Sequence, residues 1–454
     1  MSRLLSTRLS AATASARRYK INPTTITFLS RVPQVKRYSH FTYECGYESE
    51  PLEQYRPGGF HPILLGDLFK NGRYKVIHKI GWGGFATIWV ARDQLHHRNV
   101  ALKVPLAKKN SNGEVLVSNA ISKLSEEYPG QDHPGRHHLV PLLDHFTVVG
   151  PNGMHECLVH ELLGPTVSEV AECFRRLPPD IAKSTAYQAL LGIDFLSRHK
   201  IAHGDLHTNN IAFALPSLAS LDESQFSEKF GRPKTSPIIW RRDSKALTAR
   251  VPKYTVEPIS FSPLKSLREE LRTCTVKIID FGEAFFLSQS AAAVNTPLTI
   301  RPPEAIFDDW VDYRVDRWSM GCLFFEIVAG LPPLTSFYPT RKEVVEDMMI
   351  CCSDELPVRW RRKFRAVGLS KLKPIKYDPD KPKALPEWLA KYYVNKREVP
   401  VFTRYDIFRV GELITRMLKF EPSSRATAEE ILSDPWFGEM SSVLSHRVNR
   451  KARP

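Results

Sequence analysis

Residues 203–210 of this 454-residue chain read HGDLHTNN, an aspartate between two histidines followed by two asparagines. Two imidazoles and a carboxylate can bind a metal, but the stretch lacks the H-E-x-x-H spacing of a helical zinc site and no third ligand is evident elsewhere. The same letters fit phosphoryl transfer, in which an aspartate orients a hydroxyl and an asparagine five residues later helps to hold Mg²⁺. Asp205 and Asn210 have that spacing, so the choice depends on the rest of the chain.

The stretch VKIIDFGEAF, at 276–285, decides between the two interpretations. Its apolar residues predict a buried strand that delivers Asp280, and the Phe-Gly turn that follows lets the carboxylate face a metal ion. Asp280 and Asn210 carry oxygen ligands of the kind that Mg²⁺ prefers. We therefore expect these two residues to hold Mg²⁺ and Asp205 to act on a substrate hydroxyl.

A glycine cluster lies upstream, in RYKVIHKIGWGGFATIWVARD at 73–93. Alternating apolar positions around Gly81, Gly83 and Gly84 predict two strands joined by a tight turn, whose backbone N–H groups can approach phosphate oxygens. Such a turn alone also fits an ordinary hairpin. Lys103, in the predicted strand NVALKVPL, supplies a cation, and the ordered set of motifs indicates phosphoryl transfer from ATP.

The chain divides into a β-rich part and a helical part. LVPLLDHFTVV and HECLVHELL predict two more strands, and EVLVSNAISKL predicts a helix on a weak pattern. After Gly164 the periodicity becomes helical, as in DIAKSTAYQALLGIDFLSRHK and RWSMGCLFFEIVAGL, and Thr427 is the expected N-cap of a short helix. The predicted units are a basic arm (1–43), a polar connector (44–72), a β-rich lobe (73–164), a helical lobe (165–440) with an insertion lacking sustained periodicity (about 214–272), and a basic tail (441–454).

The composition of the chain excludes several classes of function. The net charge of +15 is compatible with binding nucleic acid, anionic membranes or phosphorylated ligands. The basic residues lie in the arm and in short runs such as RWRRK, without the aromatic alternation that stacks bases, so we expect no direct nucleic-acid binding. No stretch of eighteen apolar residues predicts a transmembrane segment. The seven cysteines form no C-x-x-C pair, which argues against a zinc cage or a secreted disulfide framework.

The N-terminal arm has the composition of a targeting segment. Residues 1–43 contain six Arg, two Lys, many Ser, Thr and Ala, and no acidic residue. This composition resembles a mitochondrial presequence with a processing site at RYS, residues 37–39. A basic tail that carries no address explains the composition as well, and both interpretations stay open.

Together, the motifs resemble those of the eukaryotic protein kinase family across about residues 73–437. RPPEAIF resembles the A-P-E region, with Glu304 in the structural glutamate position and Arg425 as its expected ion-pair partner. VDRWSMGC resembles the helix that buries an aspartate, here Asp316, under the catalytic loop. These features argue against the small-molecule phosphotransferases that share an HGDxHxxN loop. The resemblance implies an α+β, bilobal protein-kinase-like fold with a small β-rich N-lobe and a larger helical C-lobe.

Within that family, IGWGGFATIWVARD, the LVHELLG hinge and the long segment before Asp280 resemble the SR-protein kinase group, and its fungal members above all. The resemblance implies ATP and Mg²⁺ as cofactors and serines in Arg-Ser-rich proteins, often splicing factors of mRNA processing, as substrates. It places His160 at the gatekeeper position. The implied ATP-binding residues are Ile80, Gly81, Gly83, Gly84, Ala86, Ile88, Ala101, Lys103, His160, Glu161 and Leu163; the implied catalytic residues are Asp205, Lys103 and His207; the implied metal ligands are Asn210 and Asp280.

Three departures from the family pattern bear on the rate of transfer. Gly204 replaces the arginine that in many kinases receives an activation-loop phosphate, which implies activity independent of such phosphorylation. His207 replaces the usual lysine and removes a fixed positive charge beside the transferring phosphate. The helix glutamate that should pair with Lys103 is not evident: Glu114 is nearest, whereas the position expected from spacing holds Val117 or Asn119.

We therefore expect an active, monomeric serine/threonine protein kinase. The alternative is a catalytically weak pseudokinase that acts as a binding scaffold, and a small-molecule phosphotransferase is the third hypothesis. The expected location is intracellular: mitochondrial if the arm is a presequence, and otherwise cytoplasmic or nuclear, as for the related kinases. A groove for basic substrates would draw on acidic residues of the helical lobe, namely Asp308, Asp309, Asp312, Glu343, Glu346 and Asp347.

Overall fold

The computed structural model describes residues 38–39, 43–109, 112–126, 133–174, 176–240, 248–261, 268–287, 294, 296–334, 340–364, 385–394, 402–438 and 440. The predicted tail, and the predicted arm apart from Tyr38, Ser39 and Tyr43, lie outside these residues, so the presequence stays a prediction. The described residues form a β-rich N-terminal lobe and a helical C-terminal lobe, which confirms the predicted α+β fold class.

The N-terminal lobe is built on an antiparallel six-stranded sheet of order β3-β4-β5-β6-β8-β7. The strands in chain order are β1 (Tyr38–Ser39), β2 (Tyr43–Cys45), β3 (Leu68–Phe69), β4 (Tyr74–Trp82), β5 (Ala86–Asp93), β6 (Arg98–Pro105), β7 (Leu142–Gly150), β8 (Gly153–Glu161), β9 (Ile201–Ala202), β10 (Ile211–Phe213), β11 (Thr235–Pro237), β12 (Ile239–Trp240), β13 (Tyr254–Val256), β14 (Val276–Ile278) and β15 (Phe285–Phe286). Alternate side chains of the central strands, such as Val76, Trp89, Leu102 and Val159, pack into one core. The predicted glycine hairpin and the three further strands are confirmed.

Two largely buried helices, α3 and α8, lie at the centre of the helical lobe. The helices are α1 (Asn112–Glu126), α2 (Val167–Phe174), α3 (Pro179–Arg198), α4 (Ser217–Ser220), α5 (Glu223–Phe230), α6 (Arg268–Thr273), α7 (Pro303–Ile306), α8 (Val315–Ala329), α9 (Arg341–Cys351), α10 (Val358–Phe364), α11 (Leu385–Val394), α12 (Arg404–Met417) and α13 (Ala428–Leu432). Thr427 caps α13 in a capping box with Glu430, as predicted. In the described parts of the chain, no helix is long and apolar enough to cross a bilayer.

Described residues of the connector and of the insertion form regular structure, although the sequence predicted a polar connector and an insertion without sustained periodicity. The connector forms a small core with the insertion, in which Leu52 and Phe60 pack against Ile238 and Val251. Strand β12 of the insertion pairs with β2, and β11 pairs with β13. The insertion also contains α4, α5 and α6. Local periodicity missed this because part of the apolar surface of each segment is buried only by the other.

A buried ion pair joins the connector to the central sheet. Lys79 on β4 is 1% exposed and pairs with Glu50, which is 2% exposed and also accepts a hydrogen bond from the Tyr55 hydroxyl. The Lys79 ammonium lies 5.2 Å and 5.4 Å from the ring centroids of Trp82 and Trp89. These contacts compensate the charge inside the protein. They tie residues 43–60 to the strand that leads into the glycine turn.

The predicted pair of Glu304 and Arg425 is present in the core of the helical lobe. Nη1 of Arg425 lies 2.7 Å from Oε1 of Glu304, and both residues are about 2% exposed. Arg425 also donates to the backbone oxygens of Lys419 and Arg314, at 2.9 Å and 3.1 Å. One arginine thus joins α7, the start of α8 and the segment after α12.

We predict that Arg425→Met lowers the free energy of unfolding by about 3–5 kcal/mol, because it leaves the Glu304 carboxylate buried without its partner. Urea denaturation of the purified chain measures this loss. The matched control is Arg361→Met, since Arg361 pairs at 3.3 Å with a largely exposed Glu355 and should lose no more than about 0.5 kcal/mol. Equal losses in the two variants would contradict the structural role of Arg425.

Candidate active site

The residues predicted to bind the nucleotide converge on one cleft between the sheet and the helical lobe. The cleft has a volume of about 680 Å³. Its lining contains Ile80, Gly81, Gly83, Gly84, Ala86, Ile88, Ala101, Lys103, His160, Glu161, Leu163, Asp205, His207, Asn210 and Asp280. Strands β4, β5 and β6 form one wall, and the loop at 203–210 with the segment around Asp280 forms the other.

The glycine turn leaves open space beside its backbone. The N–H of Gly83 donates to the backbone oxygen of Ala86 at 2.9 Å and closes the turn between β4 and β5. A Cβ atom added at Gly81, Gly83 or Gly84 would meet no atom within 4 Å. The bare backbone at these positions therefore suits the close approach of a phosphate to N–H groups.

Lys103 contacts two carboxylates from different elements. Its Nζ lies 2.7 Å and 2.8 Å from the two oxygens of Glu114, and 2.8 Å from Oδ1 of Asp280. Burial disfavours the charge on Lys103, but Asp280 and Glu114 outweigh it and raise the pKa of the ammonium. Lys103 in turn holds the pKa of Asp280 well below its usual range, although burial opposes this. Lys103 and Asp280 are therefore charged at neutral pH.

The helix partner of Lys103 is Glu114, so the position expected from spacing was wrong. Helix α1 begins at Asn112, shortly after β6 ends, and this brings its first turn beside Lys103. Val117 is buried in the core and Asn119 is exposed, so neither lies at the ammonium. Weak periodicity hid where the helix begins. The structure therefore supplies the helix glutamate for Lys103 that was not evident from the sequence.

Asp280 is held in an uncommon backbone conformation. Its φ is 62°, a left-handed geometry that aspartate tolerates better than most residues. Strand β14 pairs with β10 just before it, and the N–H of Gly282 donates to Oδ1 of Asp280 at 3.1 Å. The side chain is still 46% exposed, so its carboxylate is accessible from the cleft.

Asp205, His207 and Asn210 form a second polar cluster. The Nδ2 of Asn210 donates to the backbone oxygen of Asp205 at 2.8 Å. His207 Nδ1 accepts from the N–H of Asn209 at 3.2 Å, and its Nε2 lies 3.6 Å from Oδ2 of Asp205. Among the described residues, Oδ1 of Asp205 is buried and has no hydrogen-bond partner. A buried acceptor without a donor is costly, and a substrate hydroxyl would satisfy it.

His203 is a structural residue, because both nitrogens of its ring have partners within the protein. Its Nε2 lies 3.0 Å from the backbone oxygen of Ile279, while Nδ1 accepts from the N–H of Asp205 at 3.3 Å. The hydrogen-bond network therefore assigns the proton to Nε2. Asp316, buried as predicted, accepts from the backbone N–H groups of His203 and Gly204 at 2.6 Å and 3.0 Å. These contacts attach the loop at 203–210 to helix α8, which carries Asp316.

Gly204 lies directly against the segment that follows Gly282. Its φ is 79°, and a Cβ atom there would approach the backbone oxygen of Glu283 to 2.6 Å. A side chain at this position is therefore excluded by both backbone conformation and contact. Strands β9 and β15 pair nearby and extend the contact between the two segments.

The donor set fits Mg²⁺ bound together with a nucleotide. Within the described residues, no group of three or more His, Cys, Asp or Glu side chains could hold a metal ion by itself. Asp280 and Asn210 offer a carboxylate and an amide oxygen, and Mg²⁺ usually completes its shell with water and phosphate oxygens. The zinc-type interpretation of the two histidines therefore has no support.

The far end of the cleft is lined by the end of β8. His160 Nδ1 lies 3.1 Å from the backbone oxygen of Pro141, and burial lowers the pKa of its imidazole, which is therefore neutral. Lys277 holds the carboxylate of Glu161 at 3.0 Å. Beyond Glu161 the chain leaves the sheet, so the backbone up to Leu163 passes along the cleft wall.

Sequence analysis missed several charged residues of the cleft, among them Lys109 and Glu283. Both line it, and their side chains pair at 2.8 Å. Glu283 directly follows Gly282, so its place near the site could have been inferred from VKIIDFGEAF. Lys109 lies in a loop without periodic pattern, and nothing in the sequence marks it.

The acidic residues expected to form a substrate groove are largely compensated where they lie. Asp309 accepts from Arg359 and from the Trp360 indole, each at 2.7 Å, and Asp312 pairs with Arg314 at 2.6 Å. The remaining contacts are Glu343 capping α9, Glu346 at 3.9 Å from Lys342 and Asp308 at 3.8 Å from Arg341. Asp347 also has an interaction. These pairs leave less negative potential for a basic peptide than the sequence suggested.

Comparisons with known proteins agree with the geometry. The protein kinase domain family matches residues 267–437. The chain is 29% identical to the serine/threonine-protein kinase SRPK of Physarum polycephalum over 412 residues, which cover 87% of this chain and 93% of that protein. It is 26% identical to the protein kinase dsk1 of Schizosaccharomyces pombe, covering 86% of this chain and 85% of that protein. A shorter match, 36% identical over 167 residues, links it to SRSF protein kinase 3 of Homo sapiens and covers 36% of this chain and 29% of that protein.

Two of these matches cover 87% and 86% of this chain, so they extend over both lobes. Residues 267–437 thus match the protein kinase domain family, and the chain is similar to serine/threonine kinases of the SRPK group.

Proposed function

We propose that the cleft binds Mg-ATP and that Asp205 directs the γ-phosphate to a serine or threonine hydroxyl of a protein substrate. The observation that carries the proposal is the contact of Lys103 with both Glu114 and Asp280, in the cleft that also holds Asp205. When bound, Mg-ATP supplies the phosphoryl group and the divalent charge that offsets its oxygens. The chain's own residues bind, orient and exclude water.

The proposal assigns a role to each of the charged and polar residues discussed above. Lys103, fixed by Glu114, holds the α- and β-phosphates, and the open glycine turn covers them. Asp280 and Asn210 would hold Mg²⁺. Oδ1 of Asp205 accepts a hydrogen bond from the substrate hydroxyl and orients its oxygen toward the phosphate. His207, 3.6 Å from the other oxygen of Asp205, keeps that carboxylate in place.

The alternative, a scaffold with little catalysis, rested on two observations. The first was the missing helix glutamate, and the pair of Lys103 with Glu114 removes it. The second was His207 in place of a lysine. His207 bears on the rate of transfer and leaves the nucleotide contacts of Lys103 and Asp280 unchanged, so we favour an active enzyme.

For the substrate, we propose serines in Arg-Ser-rich segments. This rests on the resemblance to the SRPK group, one member of which is named for SRSF proteins. The compensated acids of the helical lobe imply weaker electrostatic attraction for such segments than six free carboxylates would give. A mitochondrial presequence would separate the kinase from nuclear splicing factors, so this substrate class implies that residues 1–43 act otherwise.

We predict that Asp280→Ala in the full chain lowers phosphate transfer by roughly 10²–10³-fold, because a ligand of Mg²⁺ and the partner of Lys103 are lost together. Asp205→Asn should lower transfer by roughly 10²–10⁴-fold while Mg-ATP binding stays intact. Titration calorimetry with Mg-ATP and transfer of labelled phosphate measure the two effects. Glu228→Gln, an exposed acid on α5, is the control. Full transfer by Asp280→Ala would overturn the metal assignment.

A separate prediction concerns the helix glutamate. Glu114→Gln removes the charge that fixes Lys103 and should lower kcat/KM by about 10–100-fold through misplacement of the phosphates. Steady-state kinetics with varied Mg-ATP tests this. An unchanged kcat/KM would mean that Asp280 alone positions Lys103.

The substrate proposal predicts a higher kcat/KM for peptides with Arg-Ser repeats than for matched Ala-Ser and Lys-Ser peptides. The preference over Ala-Ser should fall as salt rises, because screening weakens contacts between exposed charges. Transfer of equal efficiency to all three peptides would exclude Arg-Ser recognition while leaving the kinase assignment intact.

A further inference from the structure

A second set of contacts crosses the cleft nearer to solvent than Lys103. Lys109 lies between β6 and α1, and its Nζ is 2.8 Å from Oε1 of Glu283 and 4.9 Å from the ring centroid of Phe85. Phe85 sits at the tip of the glycine turn, and Glu283 directly follows the Asp280-Phe281-Gly282 segment. One ammonium therefore touches both the glycine turn and the segment that carries the predicted metal ligand.

Both ends of this contact are anchored by backbone. The backbone oxygen of Phe85 accepts from the N–H of Leu106 at 2.8 Å, which fixes the turn tip to the end of β6. The backbone oxygen of Glu283 lies so close to Gly204 that a Cβ atom there would approach it to 2.6 Å. The lysine and glutamate side chains thus span two backbone positions that are already defined.

The contact between Lys109 and Glu283 is also exposed enough to open and close. The side chains of Lys109 and Glu283 are 27% and 19% exposed, whereas those of Lys103 and Glu114 are 12% and 4% exposed. Water can reach the outer pair, so its ions separate at low cost. The inner pair is shielded and stays formed.

We propose that Phe85, Lys109 and Glu283 form a latch that holds the glycine turn and the Asp280 segment closed over bound Mg-ATP. The latch rests on the proposed function, since it presupposes that the nucleotide occupies the cleft. The three are positioning residues that act through the turn and through Asp280. Gly204 has no side chain that could bind a phosphate on the activation loop. The latch therefore tethers the Asp280 segment without any need for phosphorylation.

The latch makes a specific kinetic prediction. Closing it stabilises the complex with Mg-ATP, and its opening precedes release of the spent nucleotide. Breaking it should raise the Kd and KM for Mg-ATP by roughly two- to five-fold, the range expected for a partly exposed ion pair. It should leave kcat within about two-fold, because no group at the reacting atoms is lost.

The test uses the full chain with Lys109→Glu, Glu283→Lys and the double, charge-swapped variant. Titration calorimetry gives the Kd for Mg-ATP, and steady-state transfer to an Arg-Ser peptide gives KM and kcat. The matched control is Lys108→Glu, an exposed neighbour with the same change of charge, which should bind Mg-ATP like the unaltered chain. Phe85→Leu removes the ring contact and should raise the Kd about two-fold.

The charge-swapped variant is expected to recover most of the affinity lost by either single change. It also keeps the test decisive if one single variant folds poorly, since it retains one cation and one anion. Unchanged Kd in both single variants, or a double variant as weak as they are, overturns the latch. If the unaltered chain fails to bind Mg-ATP, the proposed function itself fails, which is a distinguishable result.

Discussion

The arrangement of the cleft depends on the ammonium of Lys103 and the two carboxylates that contact it. Three elements must bring their charges together at this point. The lysine on β6 lies within 3 Å of Glu114, from the first turn of α1, and within 3 Å of Asp280, which is carried by a left-handed backbone. At these distances and away from bulk water, displacing one charge leaves the others uncompensated. The sheet register, the start of α1 and the pairing of β14 with β10 all serve this arrangement.

The N-terminal lobe is larger than its motifs indicate. Residues 43–60 and the insertion strands share a core, and Glu50 neutralises Lys79 two residues before the glycine turn. The backbone N–H of Ile259 also donates to the Lys79 oxygen at 2.9 Å. The strand that leads into the turn is therefore supported from two distant parts of the sequence, and this restricts how far the turn can move.

The cleft could be predicted because its chemistry uses few residue types at fixed spacing, as for Asp205 with Asn210 and for Asp280 with its Phe-Gly turn. The pair of Glu304 with Arg425 followed from the family resemblance. Glu114 was misjudged because the start of α1 depends on where β6 ends, which periodicity does not encode. The packing of residues 44–72 and of the insertion escaped prediction because each completes a core formed by the other. The contacts of Lys109 with Glu283 and Phe85 join residues far apart in the sequence, so they could be found only in the folded structure.

Gly204 has a consequence for how such an enzyme can evolve. A Cβ atom at this position meets the Glu283 backbone, and the backbone has a positive φ. Restoring the arginine of many kinases would require the segment after Gly282 to shift, so a replacement at this position alone cannot supply the phosphate-binding side chain on which those kinases rely.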